Sequence, residues 1–531
     1  MIDKPRGTCI IISMVLFFSD QFSPKKGVGT MLSLTDMNEL STNNVPRLVI
    51  GAPQGRSGKT TFTLGLLRAF ARQGLTVQPF KKGPDYIDAS WHTAAARDTC
   101  RNLDAFFMNN QELCKSLSNQ SSGKSITIIE GAMGLYDGSD LKGSSSTAEI
   151  AKVTRSPVLL VVDATRMTRS IAAMVMGYQH FDPDVQIVGV ILNKVARARH
   201  EKLARASIEE FCKIPVVGAI PKDINLGIPD RHLGLVTKDE INETETLLDY
   251  FADVICEHVD LKEVLRLAQN APALPQFSDS IVPNLAKHSI KDPDVTPKIG
   301  VIQDAVFSFY YPENIESLKD LGADVVPINS LIDSQLPQDI DALYIGGGFP
   351  EVFAAELENN KLLRGDIKRA GEMGLPIYAE CGGLMYLGRS IRTSSFSYKM
   401  VGLLPFDTQM EAKPQGHGYT LMEANTNQSW FSEGTVIKGH EFHNSRIINL
   451  SPDVKFGYRV RRGHGINGQS DGICYKNVLA AYNHLHALGS PEWATAMVKL
   501  AMSFHRTKWI QTDQVTRHWE YCHELNDPKV I

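Results

Sequence analysis

The sequence predicts two α/β units joined in one chain, the first built on a parallel sheet and the second on alternating strands and helices. Three observations carry that prediction. The strand Arg47-Leu48-Val49-Ile50-Gly51 runs into a Gly-rich loop and then a helix with Leu64, Leu66, Leu67 and Phe70 at helical spacing. Continuous runs of Val, Ile and Leu recur at 126–129, 158–162 and 187–192, which suits strands buried on both faces of a parallel sheet. After a Pro-rich interruption a second series begins at Lys298 and leads to a strand, a tight turn and a helix around Cys381.

At 531 residues the chain is too long for a single core. Its 43% hydrophobic and 21% charged content with a net charge of -4 is that of an ordinary soluble enzyme, without the basic excess that nucleic-acid binding needs. The eight cysteines include no C-x-x-C pair, so neither a disulfide framework nor a zinc site is indicated, and a reducing cytoplasm is the expected location. Lys4 and Arg6 before the apolar run Cys9–Phe18 imitate a signal peptide, but the run is too short to span a membrane. Residues 1–45 are therefore read as a poorly ordered extension, with Met31 or Met37 as alternative starts. Structure is expected over 46–269. A linker over 270–297 carries Pro272, Pro275, Pro283, Pro293 and Pro297. The second unit runs over 298–505, and 506–531 forms a polar tail with Trp509 and Trp519, read as a capping helix.

In the first unit, Ala52-Pro53-Gln54-Gly55-Arg56-Ser57-Gly58-Lys59-Thr60-Thr61 is a phosphate-binding loop. Backbone N–H groups around Gly55 and Gly58 and the helix dipole hold phosphates, Lys59 neutralises them, and the Thr60 hydroxyl, with Thr61 beside it, can ligate Mg²⁺. Pro53 stands where the strict pattern has Gly. Next comes Pro79-Phe80-Lys81-Lys82-Gly83-Pro84-Asp85-Tyr86-Ile87-Asp88, whose two carboxylates three apart suit a metal or a substrate near the triphosphate. Glu130 ends a buried strand, on the ligand side of an open sheet, as a Mg²⁺ carboxylate should.

In the second unit, Ala379-Glu380-Cys381-Gly382-Gly383 has the layout of a nucleophile elbow. A thiol at a helix N-terminus is expected to have a lowered pKa. Gly346-Gly347-Gly348 ends another strand, where N–H groups of Gly347 and Gly348 can form an oxyanion hole. His484 follows the apolar strand 477–481 and is the candidate general base. Gly439-His440-Glu441-Phe442-His443 spaces two histidines three apart, but no third metal ligand accompanies them.

The order of the three glycines, Cys381 and His484 resembles the class I glutamine amidotransferases, in the cobyrinate and cobyrate synthase branch, which have a flavodoxin-like fold. Most members of the class carry Glu two residues after the His. That position is His486 here, so only a Cys-His dyad carries over and the group orienting His484 is left open. The phosphate loop looks like the dethiobiotin synthetase variant. The string Pro-Phe-Lys-x-Gly-Pro-Asp-Tyr-Ile-Asp, together with Arg101-Asn102-Leu103-Asp104, resembles the cobyrinate a,c-diamide synthase family. So do Pro229–Leu235 and Phe307–Asn314, the latter expected at the interface between the units. The resemblance implies Glu130 as a Mg²⁺ ligand, Asn193 as a contact to the nucleotide base, and Lys81, Asp85, Tyr86, Asp88 and Asp137 as substrate contacts. It also implies ATP- and glutamine-dependent amidation of the a and c acetates of cobyrinate, a tetrapyrrole. Relatives that amidate sirohaem or nickel-sirohydrochlorin share these motifs, and Val460–Gly468 looks somewhat like theirs. A non-catalytic, nucleotide-switched ATPase ranks lower, because it predicts a missing nucleophile or base and both are present. No nucleic-acid or membrane partner is expected, and the assembly is left open between monomer and homodimer.

Overall fold

The computed structural model describes residues 45–223, 226–227, 230–231, 234–235, 243–277 and 295–524, all within one compact unit, Asn43–Ile531. The expected N-terminal extension up to residue 44, parts of the 229–235 loop, the linker from 278 to 294 and the tail from 525 lie outside the described residues.

Seven strands form the first sheet: β1 (Arg47–Gly51), β2 (Val77–Lys82), β3 (Arg101–Leu103), β4 (Ile126–Glu130), β5 (Val158–Asp163), β6 (Ile187–Val195) and β7 (Val216–Pro221). Their order is β3-β2-β4-β1-β5-β6-β7 and every pairing is parallel. The apolar runs are buried along their length, and separate hydrophobic clusters cover the two faces, as expected for strands without polar alternation. Register positions the chemistry. Ile50 pairs with Glu130, and Glu130 pairs with Lys81, so the end of β1, the Glu130 carboxylate and the Lys81 ammonium share one row at the carboxyl edge. Helices α1 (Lys59–Arg72) and α2 (Ile87–Ala96) start from that edge. Ligands of open parallel sheets bind there.

The second sheet has ten strands: β8 (Lys298–Ile302), β9 (Asp324–Ile328), β10 (Ala342–Ile345), β11 (Ile377–Glu380), β12 (Gly416–Ala424), β13 (Val436–His443), β14 (Lys455–Arg462), β15 (Ser470–Tyr475), β16 (Val478–Ala481) and β17 (His484–Leu485). The order is β9-β8-β10-β11-β16-β15-β14-β12-β13-β17. The first five positions pair in parallel and the rest antiparallel. The glycine triplet follows β10, Cys381 follows β11 and His484 follows β16, so three neighbouring strands deliver them to one edge. The tail helix is longer than the sequence suggests: a single helix, Glu492–Glu524, starts before it and packs Trp493, Met497 and Ala501 on the second sheet. No helix among the described residues is long and apolar enough to cross a membrane.

A buried arginine secures the start of the first sheet. Arg47 donates to the carbonyls of Val45 (2.9 Å), Thr154 (2.8 Å) and Pro272 (2.5 Å) and to Ser156 Oγ (3.1 Å). Ala271 and Leu274, beside that carbonyl, are buried as well, so the first residues of the expected linker pack on this sheet. Replacing Arg47 by Met strands several buried acceptors. Arg47→Met is expected to lower stability by about 3 kcal/mol, read as an earlier midpoint in urea unfolding; an unchanged midpoint contradicts this role.

Candidate active sites

A cleft of about 680 Å³ opens at the carboxyl edge of the first sheet, lined by Gly55, Gly58, Lys59, Thr60, Thr61, Lys81, Asp85, Asp88, Glu130 and Asn193. Gly58 has φ +90°, and a Cβ there would lie 2.1 Å from Asn193 Nδ2, which donates to Ser57 O at 2.9 Å. Asn193 therefore fixes the phosphate loop from β6. Lys59 Nζ donates to Met133 O at 2.6 Å across the cleft mouth. Asp137 stands just outside the lining residues: its carboxylate accepts from Gly134 N at 2.8 Å, and its charge still reaches Lys59.

Glu130 is the hub. Its Oε1 accepts from Thr60 Oγ1 at 2.6 Å and Lys81 Nζ at 2.9 Å, and its Oε2 lies 2.6 Å from His92 Nε2. Lys81 also bonds Asp88. Burial alone would raise the Glu130 pKa, but Lys81 and His92 outweigh it and hold the carboxyl well below the usual range. Burial opposes the Lys81 charge in turn, and Asp88, Glu130 and Asp85 more than restore it. Asp85 is pushed up to about 7 by burial and by Asp88. Among the described residues no three-ligand cluster for a metal ion occurs. Mg²⁺ asks for less, taking one or two carboxylates with water and substrate phosphates. The Thr60 and Glu130 oxygens, adjacent beside the phosphate loop, are the hard donors it takes.

The second site surrounds Cys381, which has φ +47° and ψ −97°, the strained backbone of an elbow. Gly382 and Gly383 make that turn fit: a Cβ on Gly382 would lie 3.0 Å from Gly348 N, and one on Gly383 2.4 Å from Ile345 O. The Gly348 amide thus sits beside Gly382, the residue that follows Cys381. The expected lowering of the thiol pKa is not what the structure gives. Burial raises it, Glu351 adds to the rise, and the helix Gly382–Leu387 is too short for its dipole to win. His484 is 2% exposed and lies over Gly347, where a Cβ would meet its ring at 2.3 Å. It shares no hydrogen bond with Cys381, and its Nδ1 has no partner. Burial, and His440 stacked on it at 4.9 Å, hold its pKa well below the ordinary value.

Two residues adjoin His484: Glu380, which the sequence left without a role, and Tyr86, which it marked as a substrate contact. Glu380, fully buried, accepts from Leu485 N at 3.0 Å and Tyr344 OH at 2.9 Å, and its Oε2 is 4.0 Å from His484 Nδ1. Burial lifts its pKa to about 8. Tyr86, from the first unit, stacks on Phe309 at 5.1 Å and packs on His484 at 5.5 Å. The flanking acids Asp85 and Asp88 stand in the phosphate cleft, so one short loop touches both sites. The Arg-Asn-Leu-Asp string holds that seam. Arg101 pairs with Glu313 and Glu316, Asn102 Nδ2 donates to the carbonyls of Gly83 and Asp85, and Asp104 accepts from Tyr419 OH at 2.8 Å.

Residues 48–236 match the model of the CobQ/CobB/MinD/ParA nucleotide binding domain, and residues 298–492 that of the CobB/CobQ-like glutamine amidotransferase domain. A cobyrinate a,c-diamide synthase of Magnetococcus marinus is 43% identical over 455 residues, covering 86% of this chain and 97% of its own. The chain belongs to the cobyrinate a,c-diamide synthase family. A member from Archaeoglobus fulgidus is 42% identical over 460 residues, with 86% and 98% covered, and one from Listeria monocytogenes serotype 4b is 40% identical over 444 residues, with 83% and 96% covered. Both α/β units of the fold are thus family property.

A raised thiol pKa has a direct consequence in this family member. Because the folded value lies above the ordinary one, Cys381 is neutral at pH 7–8 and its thiolate fraction keeps growing as pH rises. Alkylation of Cys381 by iodoacetamide, followed by peptide mass spectrometry in the absence of substrates, is expected to increase through pH 9 without levelling. A plateau reached below pH 7 contradicts the neutral resting thiol.

Proposed function

We propose that this protein is an ATP- and glutamine-dependent amidase that converts cobyrinate to its a,c-diamide. The observation that carries the reading is agreement over 86% of this chain and 97–98% of the relatives' chains with proteins named for that reaction, in a chain that holds a phosphate cleft and a cysteine at a strand-to-helix elbow near a histidine. Residues 46–269 take the ATP chemistry and 298–505 the glutamine chemistry, with 270–297 as their linker.

At the second site the Cys381 thiol gives its proton to His484 and attacks the carboxamide carbon of glutamine, while the amides of Gly347 and Gly348 hold the developing oxyanion. The tetrahedral adduct collapses to a thioester as ammonia leaves with the proton returned by His484, and water then releases glutamate. The buried imidazole is neutral at rest, as a base must be. Glu380 takes the place of the missing third residue: its carboxyl, largely neutral because burial lifts its pKa to about 8, faces Nδ1 and orients the ring.

At the first site a substrate carboxylate attacks the γ-phosphorus of ATP, and the bond to the β-phosphate oxygen breaks to give an acyl phosphate and ADP. Lys59 and the loop amides of Gly55 and Gly58 bind the phosphates, with Thr61 beside them, and Asn193 holds the loop and faces the base. Lys81, Asp85, Tyr86, Asp88 and Asp137 border the reacting carboxylate. Thr60 and Glu130 would hold Mg²⁺, which when bound would supply neutralisation of phosphate charge. Ammonia crosses internally to the acyl carbon, forms the C–N bond and expels phosphate. A second round amidates the other acetate.

Mass spectrometry of products tests the reading. Cobyrinate, sirohaem and nickel-sirohydrochlorin are offered in parallel with MgATP and either glutamine or ammonium. Two successive amidations of cobyrinate, ahead of the others, are expected with either nitrogen source. Cys381→Ala should keep only the ammonium-driven reaction, and Glu380→Gln should slow the glutamine-driven one by about a hundredfold while sparing the other. Preference for sirohaem or the nickel compound overturns the choice of substrate. Loss of both nitrogen sources in a folded Cys381→Ala protein overturns the division into two sites.

A further inference from the structure

Two consecutive lysines end β2, and the reaction as described uses only one. Side chains alternate between faces along a strand. Lys81 enters the phosphate cleft; Lys82 therefore leaves on the opposite face, and it is not among the residues lining that cleft. Lys82 is only 9% exposed, yet it makes no hydrogen bond or ion pair with any described residue. The acids whose charges reach it are Asp104 and Glu149. Both are occupied elsewhere. Asp104 accepts from Phe106 N through one oxygen and from Tyr419 OH through the other, each at 2.8 Å, and Glu149 accepts from Ser145 N.

A lysine buried along its stem, whose ammonium has no counter-ion of its own and is not among the fully buried atoms, is placed to receive an arriving anion. A second cation stands beyond the same cluster. Tyr419 stacks on Phe106 at 4.4 Å, and the exposed Arg462 guanidinium lies over both rings, at 6.0 and 5.5 Å. The ATP phosphates belong to the other face of β2, with Lys59 and Lys81, and glutamine belongs at Cys381. The remaining anionic reactant is the acid that is amidated. On the reading above it presents two acetates, of which one waits while the other is activated.

We propose that Lys82, with Arg462 at the rim, binds a carboxylate of the tetrapyrrole other than the one being phosphorylated. The inference rests on the amidase reading. Lys82 contributes a charge-assisted hydrogen bond made on substrate binding, from a side chain held in place along its buried stem. Arg462 screens the outer end of the same molecule. The seam between the two units thereby becomes part of the substrate site, because Lys82 comes from the first sheet and Arg462 from the second.

Steady-state kinetics of Lys82→Met, Lys82→Arg and Arg462→Met, with cobyrinate, ATP and glutamine varied in turn, test this. Lys82→Met is expected to raise the KM for cobyrinate by about tenfold or more, with little change in the KM for ATP. Lys82→Arg should recover most of the loss, and Arg462→Met should show a smaller rise of the same kind. An unchanged cobyrinate KM in Lys82→Met, with only a lowered melting temperature, overturns the proposal, as does an equal rise in the KM for ATP. If Lys82→Met does not fold, an unchanged cobyrinate KM in Arg462→Met, whose side chain is exposed, overturns the shared site. A wild-type enzyme that amidates sirohaem or nickel-sirohydrochlorin instead of cobyrinate defeats the substrate assignment, and the same KM comparison with that acid then decides the role of Lys82. A wild-type enzyme that amidates none of them defeats both.

Discussion

Glu130 and Lys81 face each other across the β2–β4 pairing with almost no exposed surface, and most of the first site is arranged by that contact. Each charge would be costly there alone, so each fixes the other. The carboxylate also takes the Thr60 hydroxyl from α1 and the His92 ring from α2. The ammonium takes Asp88 from the start of α2. Four elements are thereby tied to one row of the sheet, at the edge where a nucleotide is held. The cluster places the Glu130 and Asp88 carboxylates next to a loop built for phosphates, an arrangement that a divalent cation would make compatible with its ligand.

The same cluster sets the position of Tyr86. Asp85 and Asp88 hold the two sides of its loop within the phosphate cleft, and Asp88 N donates to Asp85 Oδ1 at 2.9 Å. The ring between them reaches across the seam to Phe309 and His484. A change in charge at the first cleft thus bears on the ring that packs against the base of the second. Around that base the imidazoles of His440 and His486 are pushed down to about 3 by burial, so the aromatic layer between the two sites stays neutral.

Much of this was legible in the sequence, because the signals are local. Strand, loop and helix around Lys59, the run ending in Glu130, and the elbow at Cys381 are each contained in about ten consecutive residues. The first sheet and the parallel half of the second follow from apolar runs without alternation, whereas the antiparallel half, with its alternating burial, does not. What stayed hidden depends on residues far apart in the chain. Glu380 reads as a neighbour of the nucleophile, and only the return of β17 beside it turns it toward His484. Arg101, Asn102 and Asp104 stood out as a string, but their three different tasks at the seam appear only when the second sheet is in place. The thiol pKa was misread for a related reason: a helix N-terminus is visible in sequence, whereas the burial that overrides its dipole is a sum over both sheets.

The central claim is that one closed seam carries nitrogen from Cys381 to the acid activated beside Lys81. Isotope competition tests it most directly. Glutamine labelled with ¹⁵N in its side-chain amide is supplied with cobyrinate and MgATP in the presence of excess unlabelled ammonium, and the diamide is weighed by mass spectrometry. Internal transfer predicts a product that keeps the glutamine label far above the isotopic composition of the medium. A product whose label matches the bulk ammonium would contradict the account, because the nitrogen would then have passed through solvent.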